Sequence, residues 1–174
     1  MTISELLLPE FDEEMANTRK LLERVPEGKN DYAPHEKSMP LGKLAGHVAT
    51  MPDWAKHTLE MDVLEIQGGE PPFIAQTNQE LLAKFDTGVK EARALIAGTS
   101  DEKFGETWTL KFGGNPIIQK PRYLVLRGVV LNHLYHHRAQ LGVYIRLQEA
   151  EIPGMYGPSA DEMKFWQPPA HASA

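Results

Sequence analysis

Apolar residues recur at three- and four-residue spacing through most of the chain, and this rhythm predicts four helical segments. The first runs from about Leu7 to Arg24, with Phe11, Met15, Thr18, Leu21, Leu22 and Val25 on one stripe. Pro9 belongs in its first turn or bends it there, and Pro26-Glu27-Gly28 ends it. Residues 26–38 read as a long connection, in which His35 follows Pro34 and is expected at the surface. Ser38 is the expected N-cap of a second helix, with Pro40 near the first helical position. Leu41, Leu44, Val48, Met51 and Ala55 share one face of it, and Pro52 predicts a kink.

Gly68-Gly69-Glu70-Pro71-Pro72 breaks the pattern. A capping box at Thr77-Asn78-Gln79-Glu80 then opens a third helix, whose stripe of Leu82, Phe85, Val89, Ala92 and Ile96 carries no ionisable residue, with Gly98 as its C′ residue. From Thr107 the period changes: Thr107 to Phe112 has strand propensity, Gly113-Gly114-Asn115-Pro116 makes a turn, and Ile117-Ile118-Gln119 returns as a second strand. A two-stranded hairpin is marginal alone, so it is expected to lean on the helices. The fourth helix runs from about Arg122 to Glu149. Beyond it, turns at Pro153-Gly154 and Gly157-Pro158 precede a short final helix capped by Ser159-Ala160-Asp161-Glu162, and Pro168 to Ala174, with His171, reads as a loose tail.

The fourth helix carries the chemistry. His133 and His137 lie about 40° apart on a helical wheel, inside an apolar arc of Leu126, Val129, Val130, Leu141 and Tyr144. Each unpartnered polar group buried there would cost roughly 1–3 kcal/mol. A shared metal ion compensates, because His at i and i+4 reach one cation; hydrogen bonds to carbonyls, a carboxylate or each other are the alternative. His136 sits about 60° from His133, toward the edge of the stripe beside Gln140, and suits a supporting or surface role. On the second helix His47 flanks the apolar face, whereas His57 falls among Asp53, Lys56 and Glu60 on the polar side. Tyr144 and Arg138 are candidates for a pocket wall, with core packing and a surface or capping charge as the alternatives.

Composition narrows the chemistry. The 174 residues are 41% hydrophobic and 24% charged, which fits one domain spanning 1–174, loose from about 168. The absence of cysteine excludes disulfides, thiolate metal sites and a cysteine nucleophile, so any metal is held by His, Asp or Glu. A net charge of −6 with scattered Lys and Arg argues against nucleic acid as a partner. No apolar run is long enough for a membrane span, and Met1 to Leu8 lacks a signal-peptide pattern, so a cytoplasmic protein is expected. There is no Gly-rich phosphate loop and no G-x-S-x-G elbow. There is also no Glu-x-x-His, which excludes the di-iron carboxylate pattern, and Leu134 stands where a zinc-protease helix carries its glutamate base.

Three neutral imidazoles, His47 with His133 and His137, would hold a divalent ion of the zinc, nickel or iron class and leave a position open. An ion there would acidify bound water for hydrolysis, or bind and deprotonate an external thiol.

Ser38-Met39-Pro40-Leu41-Gly42-Lys43-Leu44-Ala45-Gly46-His47, Asn132-His133 through His136-His137-Arg138-Ala139-Gln140-Leu141, and Pro153-Gly154-Met155-Tyr156-Gly157-Pro158-Ser159-Ala160-Asp161-Glu162 together resemble the DinB-like (damage-inducible, YfiT-related) family over nearly the whole chain. The resemblance implies an all-α, up-down-down-up four-helix bundle, here with a small β-hairpin inserted before the last long helix. It further implies a homodimer and a metal on His47, His133 and His137. Some relatives are metal-dependent transferases using low-molecular-weight thiols such as bacillithiol or mycothiol. The expected function is thus thiol transfer to a small-molecule substrate with zinc or nickel, or else iron. A metal-dependent hydrolase and a non-catalytic metal-binding, stress-response dimer are the alternatives.

Overall fold

The computed structural model describes residues 1–163. Its first helix, α1 (Ile3–Leu22), begins earlier than the apolar stripe suggests because Thr2 and Glu5 form a reciprocal capping box, and Pro9 lies inside the helix. Phe11, Met15, Thr18, Leu21 and Leu22 are buried along the predicted stripe.

The second helix departs from expectation at both ends. Ser38 does not cap it: α2 (Leu41–Thr50) starts after Pro40, and its first N–H groups donate to loop carbonyls, Leu41 to Tyr32 at 2.7 Å and Gly42 to Asn30 at 3.0 Å. The connection over residues 26–38 therefore supplies the acceptors for these orphan donors that a side chain otherwise provides. Pro52 does more than kink the helix, since α3 (Asp53–Glu60) follows as a separate element. A Cβ on Gly46 would stand 1.8 Å from the Phe73 carbonyl oxygen, so glycine before His47 is what lets the loop after the second helical arm close onto α2.

The helix α4 (Asn78–Gly98) is capped by Thr77, which accepts from the Glu80 N–H, but the Glu80 carboxylate takes the N–H of Gln76. Gly98 is its last residue rather than a left-handed C′, and the chain leaves through extended Thr99. A short helix, α5 (Asp101–Gly105), capped by Ser100, then leads into the sheet.

The expected hairpin forms as β2 (Thr107–Phe112) and β3 (Asn115–Pro121), but the sheet has three strands. The strand β1 (Val63–Ile66) pairs parallel with β2, Leu64 opposite Leu110, giving the order β1-β2-β3. The molecule is mostly helical with this small sheet, rather than all-α with a hairpin.

The last long helical arm is not uniform. It comprises α6 (Arg122–Val125), a π-helical turn over Leu126–Asn132, and α7 (His133–Leu147). One wheel at about 100° per residue does not describe it, because the wider π turn re-aims every side chain across it. Leu126, Val130 and Leu131 enter the main core, whereas Val129 turns to a second cluster of Trp108, Leu110 and Val125 under the sheet.

Within the main core α1, α2 and α3 pack on α4, and α7 packs on α2 and α1. Arg122, 0% exposed, joins the two clusters: its guanidinium donates to the carbonyls of Thr58 and Met61 at the end of α3 and to the Asp62 carboxylate. Past α7, only half of the predicted capping box forms: the Glu162 carboxylate accepts from the N–H groups of Gly154 and Ser159, but the Glu162 N–H donates to the Ser159 carbonyl and the Ser159 hydroxyl has no partner among the described residues. The rest of the expected final helix, the tail from 168 and His171 lie outside the described residues.

Candidate metal centre

Where α2 faces the start of α7, three imidazoles converge. The ligand nitrogens of His47, His133 and His137 all lie within 4.8 Å of one another. His133 Nε2 stands 2.8 Å from His137 Nε2 and 3.5 Å from His47 Nε2. The i, i+4 spacing places the first pair on one helix face, and the approach of α2 brings the third.

The outer side of the His137 ring is tied to a hydrogen-bond acceptor. His137 Nδ1 donates to Gln140 Oε1 at 2.8 Å, and the backbone of Val129 in the π turn favours a proton on the His133 ring. A neutral imidazole has one N–H, so His137 spends its own on Gln140 and turns a bare Nε2 lone pair toward His133 Nε2. Two ring nitrogens 2.8 Å apart need a proton or a cation between them. Nitrogens held tetrahedrally by one zinc ion at about 2.0–2.1 Å stand roughly 3.3 Å apart. The observed 2.8 and 3.5 Å bracket that value, so the residues fit a divalent ion.

A cation site must resist protons. Burial pushes His47 down to about 4, helped by His137, His133 and Lys43. Burial likewise lowers His133 and His137, against the opposing pull of Val129 and Gln140 respectively. All three are therefore neutral ligands near pH 7. In metal-free protein this sets a pH window. Above about pH 6.5 folded and unfolded chains carry the same neutral His47; as pH falls from there toward 4, only the unfolded chain gains the proton. Thermal stability without metal should accordingly fall through that interval, and His47→Phe should flatten the fall in melting scans.

The other histidines among the described residues stay outside the cluster. His35 is exposed and accepts from the Lys37 N–H, and exposed His136 touches only the flank of His137, with ring centroids 4.8 Å apart. His57, half-buried, packs edge-on against Trp54. Neither Arg138 nor Tyr144 reaches the cluster. Tyr144 packs edge-on against Tyr32, and Arg138, only 3% exposed, is no surface charge but pairs with buried Glu14 at 2.6 Å. The supporting acceptor was missed in the sequence, although Gln140 lies one helical turn after His137, a spacing that places it within reach.

A family model of the DinB superfamily matches residues 10–141, which include all three histidines. This chain belongs to the DinB superfamily. Solved DinB-like structures share its fold: one from Bacillus subtilis aligns with a TM-score of 0.65 at 18% identity, covering 86% of this chain and 97% of the other. Another, from Bacillus cereus, aligns at 0.65 and 21% identity, covering 86% and 95%. No curated protein matches in sequence. For this DinB-superfamily protein the functional reading rests on the site.

Proposed function

We propose that His47, His133 and His137 hold one divalent metal ion, zinc or nickel before iron, and that the protein is an enzyme transferring a low-molecular-weight thiol to a small electrophile. The observation that carries this is the convergence of three imidazoles, with the Nε2 atoms of His133 and His137 2.8 Å apart and the Gln140 amide oxygen behind the His137 ring. Three protein ligands leave a position open, as catalytic sites do and closed structural sites do not. A divalent ion bound there acidifies a thiol or water that reaches it, which supplies a nucleophile to a chain that has no cysteine.

The protein's own residues do the rest. Burial keeps the imidazoles unprotonated, while Gln140 fixes the orientation of the His137 ring. Among the described residues no carboxylate joins the ligand group, which disfavours a water-activating base and favours thiol chemistry over hydrolysis. The same reading takes α1, the broken α2 and α3 arm, α4 and the arm ending in α7 as an up-down-down-up four-helix bundle, working as a cytoplasmic homodimer without nucleic acid or membrane.

The test is thiol-dependent conversion of chlorodinitrobenzene, in which the thiol sulfur displaces chloride and the thiol proton goes to solvent. Zinc- or nickel-loaded wild type should exceed His133→Ala by roughly a hundredfold or more with bacillithiol, mycothiol or a related thiol. Equal rates with every thiol overturn the reading. Thiol-independent ester hydrolysis lost on metal removal would replace it with a hydrolase.

A further inference from the structure

A cleft of about 460 Å³ opens beside the histidine cluster, lined by Trp54, Leu110, Ile118, Val129, Asn132 and His133, with Gly128 in its wall. Three separate parts of the chain build it: α3, the sheet, and the π-helical turn. His133 belongs both to this wall and to the converging nitrogens, so a molecule seated in the cleft lies against the proposed metal position.

We infer that this cleft binds an uncharged aryl group of the electrophilic substrate and delivers its reactive carbon to the histidine cluster. The inference rests on the thiol-transfer reading above and adds the substrate class to it. The size lies within the roughly 300–1,000 Å³ of small-molecule sites. No Asp, Glu, Lys or Arg lines the cleft, so its walls offer a charged ring substituent no ion-pair partner. Trp54, Ile118 and Val129 are only half-buried and offer their apolar faces to a ligand, and the Trp54 indole gives a ring face for stacking. A Cβ on Gly128 would meet no atom within 4 Å, which leaves space in the wall of the π turn.

That free space also supplies the test. Gly128 has no positive φ and sits in a helical arm, so Gly128→Leu can enter the cleft without backbone strain. Binding of the unreactive probe 1,3-dinitrobenzene is measured by equilibrium dialysis, beside zinc stoichiometry and melting temperature. Wild type should bind the probe saturably with or without zinc. Gly128→Leu should lose about tenfold or more in affinity while keeping its zinc and its melting temperature. Ile118→Trp, which crowds the same space from the sheet, should do likewise. Val143→Glu places a charge in a separate apolar cleft of about 480 Å³ along α7 and should leave binding unchanged. Absence of binding in wild type, wild-type affinity in both cleft variants, or loss in Val143→Glu alone overturns the inference. Probe binding that depends on Gly128 in a protein that takes up no zinc would uphold the cleft and defeat the metal reading instead.

Discussion

Wild-type protein should carry about one divalent ion per chain through gel filtration, and His133→Ala should carry almost none. His133 is the central ligand of the three, its Nε2 lying near both His47 and His137. Removing it leaves two imidazoles on different helices, and two nitrogens do not hold an ion against dilution as three do. His47→Ala should read the same way in plasma mass spectrometry, since it removes the sole ligand from α2. Two further variants separate coordination from general damage. Gln140→Leu keeps all three ligands but removes the acceptor behind His137, and loss of such an outer partner costs roughly 10–100-fold in affinity. His136→Ala, exposed and outside the cluster, should retain a full complement. Undiminished metal in His133→Ala would show that the ion, if present, sits elsewhere.

Arg138→Ala should cost about 3–5 kcal/mol of folding stability without changing metal content. The guanidinium is 3% exposed and pairs with Glu14 Oε2 at 2.6 Å. It also donates to the Glu14 carbonyl and Thr18 Oγ1, each at 3.1 Å, and to the Tyr156 hydroxyl at 2.5 Å, while Tyr156 donates to the Glu14 carboxylate. Removing the cation leaves Glu14 as a buried anion with the Tyr156 hydroxyl in place of an ion-pair partner, and that penalty exceeds the value of the pair itself. Chemical denaturation gives the free energy, and in a protein of this size the melting temperature should drop on the order of 10 °C. The double variant Glu14→Leu with Arg138→Met should recover most of the loss, because it removes both charges and keeps apolar volume. If Arg138→Ala matches wild type, the network contributes nothing.

What could be read before the structure followed the range over which its signal acts. His133 and His137 were legible because four residues on a helix bring two side chains together whatever the rest of the chain does. The stripe of α4 and the β2-β3 hairpin are local in the same sense. Glu14 and Arg138 are not: they sit 124 residues apart, and a helical wheel says nothing about a partner on another element. The strand β1 was hidden for a related reason, since four residues alternating between exposed and half-buried give little pattern without β2 beside them. The π turn escaped because a fixed angle per residue cannot register a change in helical pitch. Nor could the cleft be foreseen, as its wall exists only once α3, the sheet and that turn are assembled.

The parallel pairing of β1 with β2 bears on the order in which the chain organises itself. The hairpin of β2 and β3 closes through a tight turn at Gly113 and Gly114, an event of about 1–10 μs in isolated hairpins. Adding β1 to its edge must wait for a far larger ring, because all of α4 and α5 intervene between Ile66 and Thr107. The entropy of closing that ring is offset only when α4 has docked against α1 and shortened the path. By loop-closure entropy the local helices and the hairpin are expected first and the third strand last, with the long crossover slower to close than the helices are to form.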